Sequence, residues 1–206
     1  MPNIWLPSTP ADLRPFLRFW DRLSYPLWAN LEQAIRSGEA VIGEFEYTEE
    51  EQQIYSEGVE AIQSGPAQVF ATTFDFGGHQ RMMDLGGGTG SWLKAVLSNH
   101  DELEGTLFEL PLVTEIARKI HANAPYADRL DIVAGDFFTG PIPDGHDAVL
   151  VANIFHNFTP DKNLAILNKL RTGFPDSGRL YLVDLWTNQT NTEPVIATLM
   201  AGEFLI

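Results

Sequence analysis

Short apolar runs alternate with longer amphipathic segments from Arg81 onward, and this order constrains the fold more than any other feature of the sequence. Five runs have the composition of buried strands: RMMDL, GTLFEL, LDIVAG, HDAVLVAN and GRLYLVDL. Between them, apolar residues recur at helical spacing in SWLKAVLSNHDEL, LVTEIARKIHANA and DKNLAILNKLRTGF. Strand and helix repeated in this way require a parallel sheet with right-handed crossovers and helices on both faces. We therefore predict a doubly wound α/β domain with five strands.

Residues 1–78 show a different pattern, and we interpret them as a helical lead-in and lid segment ahead of a core domain at residues 79–206. The stretch from residue 11 to residue 37 is rich in aromatic residues and is interrupted by Pro15 and Pro26, which favours short packed helices. Farther on, Thr48 and Glu51 have the spacing of a capping box, which predicts the start of an acidic-faced helix.

The charge balance and the lack of cysteine exclude several kinds of partner and site. Asp and Glu total 28 against 13 Lys and Arg, and the net charge of −15 repels phosphate backbones and anionic membrane surfaces. No apolar segment approaches the roughly 20 residues that span a bilayer. Without cysteine, disulfides, thiolate nucleophiles and cysteine-based zinc sites are excluded. We expect a soluble cytoplasmic protein that binds neither nucleic acid nor membrane, and we assign no metal ligands.

A glycine-rich loop, DLGGGTG, follows the first predicted strand and precedes a helix. Glycines in that position let the backbone turn tightly and approach a ligand closely. We assign Asp84, Gly86, Gly88 and Gly90 to the binding of a nucleotide-type cofactor. The dinucleotide fingerprint GxGxxG is not met, because Gly86 and Gly88 lead to Ser91. A nicotinamide-dependent reductase stays an alternative that has to explain this missing third glycine.

Polar and aromatic residues stand where the following strands end. Glu109 comes about twenty residues after the loop, where an acidic side chain can accept hydrogen bonds from both hydroxyls of a ribose. Asp136 follows the third strand and could accept from an adenine amino group, with Phe137 packed on the ring. We assign Asn153, at the end of the fourth run, to the same cofactor site. One of Phe137 and Phe138 is expected to fill the core only.

The motifs DLGGGTG, FELP, GDFF, NIFHNF and LVDL resemble, in order and spacing, those of class I small-molecule O-methyltransferases such as plant caffeic acid and bacterial polyketide enzymes. The resemblance covers the chain from about Trp28 to its end. It implies a Rossmann-like methyltransferase fold, S-adenosyl-L-methionine as cofactor, and a hydroxyl of a small aromatic or polyketide-type molecule as acceptor. The chain departs from the family pattern at Glu109, usually aspartate, at His156-Asn157-Phe158, usually His-Asp-Trp, and at Asp184, usually glutamate.

His156 is the candidate general base. A phenol, with a pKa of about 10, is a poor nucleophile at neutral pH until its proton is removed, and histidine suits that task. His156 lies just past the fourth predicted strand, which in this topology neighbours the first strand at the ligand-binding switch point. Asp184 ends the fifth strand and could orient the imidazole. A structural role for His156 and a solvent-facing role for Asp184 are the alternatives.

The C-terminal residues raise the question of partners. Met200 and Phe204 match acceptor-pocket positions of the resembled family, although at helical spacing they could equally belong to the core. Family members normally carry an N-terminal dimerisation domain and further C-terminal elements that are not in this sequence, and the fifth strand would leave an open sheet edge. We therefore expect a homo-oligomer or a complementing second chain. The alternative function is a catalytically idle S-adenosylmethionine-binding subunit that requires a partner.

Overall fold

The computed structural model describes residues 12–39 and 47–203. The chain divides into two compact units. One contains the residues up to Ala61 together with those from Leu185 onward, and the other is Ile62–Asp184. The sequence analysis divides the chain at residue 78 into a lead-in and lid segment and a core domain. That division is a functional one, and it stays a prediction.

The Ile62–Asp184 unit contains, within the described residues, one five-stranded parallel sheet with the order β3-β2-β1-β4-β5. The strands are β1 (Arg81–Leu85), β2 (Glu104–Glu109), β3 (Leu130–Ala134), β4 (Ala148–Ala152) and β5 (Arg179–Val183). The helices between them are α5 (Ser91–Asn99), α6 (Pro111–His121) and α7 (Pro160–Gly173). The chain runs outward from β1 to β3 and returns to β4 beside β1, so the topological switch point lies between β1 and β4.

Both faces of the sheet are covered by helices. Met82 and Met83 on β1 are 0% and 1% exposed, yet they belong to separate apolar clusters because successive side chains of a strand point to opposite faces. The Met82 cluster includes residues of α5 and α6, and the Met83 cluster includes Ile166 and Leu170 of α7. All five residues of β4 are buried, as expected for a central strand of a doubly covered parallel sheet. The predicted doubly wound α/β fold is confirmed.

The other unit is built from short helical segments, as its prolines predict. In chain order they are α1 (Arg14–Phe19), a π-helical turn at Trp20–Ser24, α2 (Tyr25–Leu27), a 3₁₀ turn at Trp28–Asn30 and α3 (Leu31–Ser37). The last helix, α8 (Val195–Glu203), belongs to the same unit. The indole Nε1 of Trp28 donates to the Glu203 carboxylate at 2.8 Å, which joins the early helices to α8.

The long helix α4 (Glu49–Thr73) begins with the predicted capping box. Oγ1 of Thr48 accepts from the Glu51 N–H at 3.3 Å, and the Glu51 carboxylate accepts from the Thr48 N–H at 2.9 Å. None of the helices in the described ranges combines the length and the apolar character that a membrane crossing requires.

Candidate functional site

The carboxyl ends of the five parallel strands meet at one edge of the sheet, and most of the predicted site residues lie there. The glycine loop follows β1, Glu109 ends β2, Asp136 follows β3, Asn153 follows β4 and Asp184 follows β5. In an open α/β sheet, ligands bind at this edge, beside the switch point. The topology therefore brings these residues together although they span one hundred positions of the sequence.

The glycine loop has a backbone that side chains other than glycine rarely adopt. Gly86, Gly88 and Gly90 have φ angles of +67°, +58° and +90°. A Cβ atom on Gly86 would also lie 2.6 Å from Cδ1 of Ile154, whereas one on Gly88 would meet no described atom within 4 Å. The backbone at Gly88 is thus open to an approaching ligand.

Glu109 is held against this loop. One carboxylate oxygen accepts from the Gly88 N–H at 2.9 Å, and the other accepts from the Leu110 N–H at 2.6 Å. Burial raises the pKa of Glu109, and the amides of Leu110 and Gly88 oppose this rise. An acceptor group is therefore fixed beside the open part of the loop.

Asp84, at the end of β1, is fully buried beneath the loop. Neither carboxylate oxygen has a hydrogen bond of good geometry from the described residues. Burial raises the pKa of Asp84 to about 7, the Glu109 charge adds to the rise, and the Leu93 amide offsets part of it. Burial thus makes ionisation of both Asp84 and Glu109 less favourable. A positive charge at this edge of the sheet would stabilise their ionised forms.

Asp136 mainly organises its own turn. Its carboxylate accepts from the Phe138 N–H at 2.7 Å and from the Thr139 hydroxyl at 2.8 Å. The Phe138 N–H lowers the pKa of Asp136, so the group is ionised at neutral pH. The neighbouring ring of Phe137 reaches the glycine loop, since its Cε1 would lie 3.3 Å from a Cβ on Gly86.

Lys169 on α7 also contacts this turn, although no sequence signal predicted that role. Its ammonium donates to the carbonyls of Phe137 and Phe138 at 2.8 and 2.5 Å, with Gly140 at 3.3 Å. Ile154, which lies beside Gly86, was missed as well. A lysine on an amphipathic helix and an isoleucine after a strand carry no local signal for such roles.

Asn153 turns the chain after β4. It has a φ of +56°, in the left-handed region that asparagine tolerates better than most residues, and its N–H donates to the Val183 carbonyl at 2.7 Å. The turn leads directly into the short helical segment Phe155–Asn157, which carries His156.

His156 and Asp184 form a hydrogen-bonded pair. Nδ1 of the imidazole lies 2.5 Å from one oxygen of Asp184, and the other oxygen accepts from the N–H groups of Phe155 and His156 at 3.0 and 3.3 Å. The Asp184 side chain is 7% exposed, so it does not face solvent. Since a carboxylate accepts the Nδ1 proton, the neutral ring is held in the tautomer in which Nε2 can take up a proton.

The remaining predicted residues and histidines lie elsewhere. Met200 is on α8 of the other unit and is partly buried, and Phe204 lies outside the described residues.

Each of the other histidines contacts a protein group. The pairs are His79 with Tyr181, His100 with Ala71, His121 with Thr89, and His146 with Thr106. Among the residues of known position, no cluster of acidic and histidine side chains has the arrangement of a metal site.

Comparison with known proteins gives one consistent answer. Residues 28–206 match the family described as O-methyltransferase domain. The chain is 35% identical over 150 residues to a 3-hydroxy-5-methyl-1-naphthoate 3-O-methyltransferase of Streptomyces sahachiroi, which covers 73% of this chain and 44% of that protein. It is 31% identical over 188 residues to a mitomycin biosynthesis 6-O-methyltransferase of Streptomyces lavendulae, covering 87% and 53%.

The fold comparison agrees. The solved structure of the mitomycin 7-O-methyltransferase MmcR superposes with a TM-score of 0.85 at 30% identity, over 98% of this chain and 61% of that one. The chain spans about half the length of the curated relatives it matches. The Rossmann-like methyltransferase fold expected from the motifs is confirmed, and the chain belongs to the O-methyltransferase family.

Proposed function

We propose that the chain forms the core of an S-adenosyl-L-methionine-dependent O-methyltransferase that acts on a hydroxyl of a small aromatic or polyketide-type secondary metabolite, with His156 as general base. The observation that supports this most is the hydrogen bond between His156 and Asp184 at the same sheet edge as the glycine loop. A base fixed in one tautomer beside a nucleotide-type loop is the arrangement that methylation of a hydroxyl needs.

The residues around the glycine loop fit the cofactor. S-adenosylmethionine, when bound, supplies a methyl group on a positively charged sulfur. Gly86, Gly88 and Gly90 would give it close access to the backbone, and Glu109 would accept from the ribose hydroxyls. The buried carboxylate of Asp84, whose oxygens have no well-aligned hydrogen bond, favours a cationic ligand nearby, because a positive charge offsets the cost of its ionisation.

The adenine side of the site is proposed at the turn after β3. Asp136 keeps acceptor capacity beyond its two contacts within the turn, since an ionised carboxylate has about four lone-pair sites. Phe137 would pack on the ring, and Asn153 would contribute from the turn after β4. Lys169 would keep the carbonyls of this turn in place.

His156 is proposed to take the proton of the acceptor hydroxyl at Nε2. Asp184 would hold the ring in place and stabilise the imidazolium that results. Its contacts with the N–H groups of Phe155 and His156 fix the carboxylate at the same time. His156 and Asp184 would thus deprotonate the acceptor hydroxyl, and an in-line displacement further requires that its oxygen be aligned with the methyl group.

The names of two relatives, which refer to a hydroxynaphthoate and to mitomycin biosynthesis, support the proposed acceptor class. We propose a hydroxylated aromatic or polyketide-derived ring as acceptor for this chain. Met200 and Phe204 are proposed acceptor contacts on sequence grounds alone.

Calorimetry and a methylation assay test the proposed function. The chain should bind S-adenosylmethionine and its demethylated product, S-adenosylhomocysteine, and should not bind NADH. With methyl-labelled cofactor, it should transfer label to oxygen in a panel of naphthols and hydroxybenzoates. Binding of NADH in place of S-adenosylmethionine would overturn the assignment. Cofactor binding without turnover on the panel would favour the alternative, an idle subunit that requires a partner chain.

We also propose that the β5 edge associates with a second copy or with a complementing chain. β5 is the last strand on its side of the described sheet, and Leu182 on it is 40% exposed. An open edge presents unpaired N–H and carbonyl groups to another strand.

A charge on this edge should therefore break the association. Light scattering after size-exclusion chromatography should give a mass well above the 23.0 kDa of one chain, and Leu182→Lys should lower it. Leu164→Lys is the matched control, because Leu164 is 57% exposed but lies on α7. A wild-type monomer that unfolds cooperatively would contradict the proposal.

A further inference from the structure

His121 is a buried side chain that connects the last turn of α6 with the glycine loop. It is 4% exposed, and its Nε2 lies 2.7 Å from the carbonyl oxygen of Thr89. Its Nδ1 lies 3.0 Å from the hydroxyl of Tyr126. One ring thus contacts both the loop and the segment that follows α6.

The chemistry of the two partners fixes the tautomer of the ring. A carbonyl oxygen can only accept, so Nε2 of His121 must carry a proton and donate it to Thr89. In the neutral ring, Nδ1 then accepts from the hydroxyl of Tyr126. A ring flipped by half a turn would lose the correct partner on both sides, so this orientation is determined.

The peptide group between Thr89 and Gly90 is held at both ends. Its carbonyl accepts from His121, and its N–H, the Gly90 amide, donates to the Gly87 carbonyl at 2.9 Å. Because the peptide is planar, these two bonds together set its orientation. The imidazole also packs against the loop, since a Cβ on Gly90 would lie 2.9 Å from Nε2.

We propose that His121 is a positioning residue that holds the glycine loop in its cofactor-binding conformation before the cofactor arrives. The inference rests on the proposed function, because it assigns cofactor binding to this loop. Fixing the Thr89–Gly90 peptide limits ψ of Thr89 and φ of Gly90, and so holds the end of the loop whose Gly88 backbone is open and next to Glu109. A loop that is already ordered loses less conformational entropy when a ligand binds, and it therefore binds the ligand more tightly.

A pair of buried histidines provides the matched comparison. His146 is also 4% exposed and bonds to the Thr106 hydroxyl at 2.8 Å, but it precedes β4, at the opposite edge of the sheet. His121→Leu removes the donor to the loop, and His146→Leu removes a similar bond elsewhere. His121→Gln keeps an N–H donor near the position of Nε2 and serves as the conservative rescue.

Two measurements on the full 206-residue chain follow from this design. Calorimetry should show His121→Leu binding S-adenosylhomocysteine about tenfold more weakly, with His121→Gln recovering most of the loss and His146→Leu within about twofold of wild type. Hydrogen exchange without cofactor should be faster at the Gly90 amide in His121→Leu than in His146→Leu, after correction for global stability.

The two measurements separate failure of this inference from failure of the proposed function. Unchanged affinity and unchanged Gly90 exchange in His121→Leu would overturn the positioning role. A wild-type chain that binds neither S-adenosylmethionine nor S-adenosylhomocysteine would contradict the proposed function. The hydrogen-exchange comparison would still decide whether His121 orders the loop. If His121→Leu does not fold, Tyr126→Phe is the substitute variant, because it removes the hydroxyl that holds Nδ1 of His121. It should weaken binding by about threefold and speed Gly90 exchange, and no change in either would count against the role.

Discussion

His156→Ala is expected to lower the single-turnover rate of methyl transfer by about 10² to 10⁴, while the affinity for S-adenosylmethionine stays within about twofold. The physical reason is the loss of the group that takes the acceptor proton. A phenolic acceptor, with a pKa of about 10, is largely protonated at neutral pH without a base next to it. Rapid-quench measurement at saturating cofactor isolates this step from product release.

The pH dependence distinguishes a lost base from a displaced acceptor. In the alanine variant, the acceptor has to ionise by itself, so the rate should rise with pH toward the acceptor pKa of about 10 and recover part of the loss. His100→Ala is the matched control, because His100 follows α5, its Nε2 lies 2.9 Å from the Ala71 carbonyl oxygen on α4, and the rate should tolerate the change. A wild-type rate at neutral pH in His156→Ala would return His156 to a structural role.

Asp184→Asn tests the orienting half of the pair. The amide keeps the size of the carboxylate but loses the charge that stabilises the imidazolium, and its NH₂ group can displace the Nδ1–H of His156. We expect a rate loss within the range given for His156→Ala and no larger.

The fold was predictable from the sequence because its signals are local. RMMDL corresponds to β1 residue for residue, and the other strands begin and end within two residues of the predicted runs. Short apolar runs separated by helical periodicity leave few topologies that bury both faces of a parallel sheet. The capping box at Thr48 is equally local, since both partners lie within one helical turn.

Element ends were less predictable where a distant residue decides them. The periodicity of SWLKAVLSNHDEL extends to Leu103, but α5 ends at Asn99. There the Arg129 guanidinium donates to the carbonyls of Leu97, His100 and Leu103 at 2.8, 3.0 and 2.6 Å. Those carbonyls have a partner outside the helix, so the chain can leave the helical path without burying unsatisfied groups. Nothing near residue 100 indicates that contact.

The same limit applies to the candidate site. The placement of Glu109, Asp136 and Asp184 follows from topology, since the carboxyl ends of parallel strands share an edge. Their supporting residues lie on helices: Lys169 behind the turn after β3, and His121 against the glycine loop. A helical lysine or histidine is usually a solvated or structural residue. Its role becomes visible only when the backbone carbonyls that it contacts are in place.

Glu109→Ala is expected to weaken the binding of S-adenosylmethionine by about 10² to 10⁴. Two charge-assisted hydrogen bonds to ribose hydroxyls would be lost, each worth about 1.5 to 3 kcal/mol. The structure adds a second reason, because the Gly88 N–H would lose its acceptor on β2, although the Gly86 N–H would still donate to the Phe108 carbonyl. Glu104→Ala is the matched control: it is the same change on the same strand, at an exposed residue whose carboxylate lies 3.3 Å from the Arg81 guanidinium.

Glu109→Gln separates lost recognition from lost folding. Burial raises the pKa of Glu109 in the folded chain, so the ionised group costs stability as the pH rises through that folded value. Replacing the carboxyl group by an amide removes that cost but leaves one oxygen for the two N–H groups of Gly88 and Leu110, so the free energy of unfolding should fall less than in Glu109→Ala. The same change should still weaken cofactor binding, because a neutral amide oxygen accepts less strongly than a carboxylate. Urea unfolding and calorimetry on one preparation measure both quantities. Affinity unchanged in both Glu109 variants would refute the assignment of Glu109 to the ribose, whereas affinity falling only in proportion to stability would reduce Glu109 to a support of the loop.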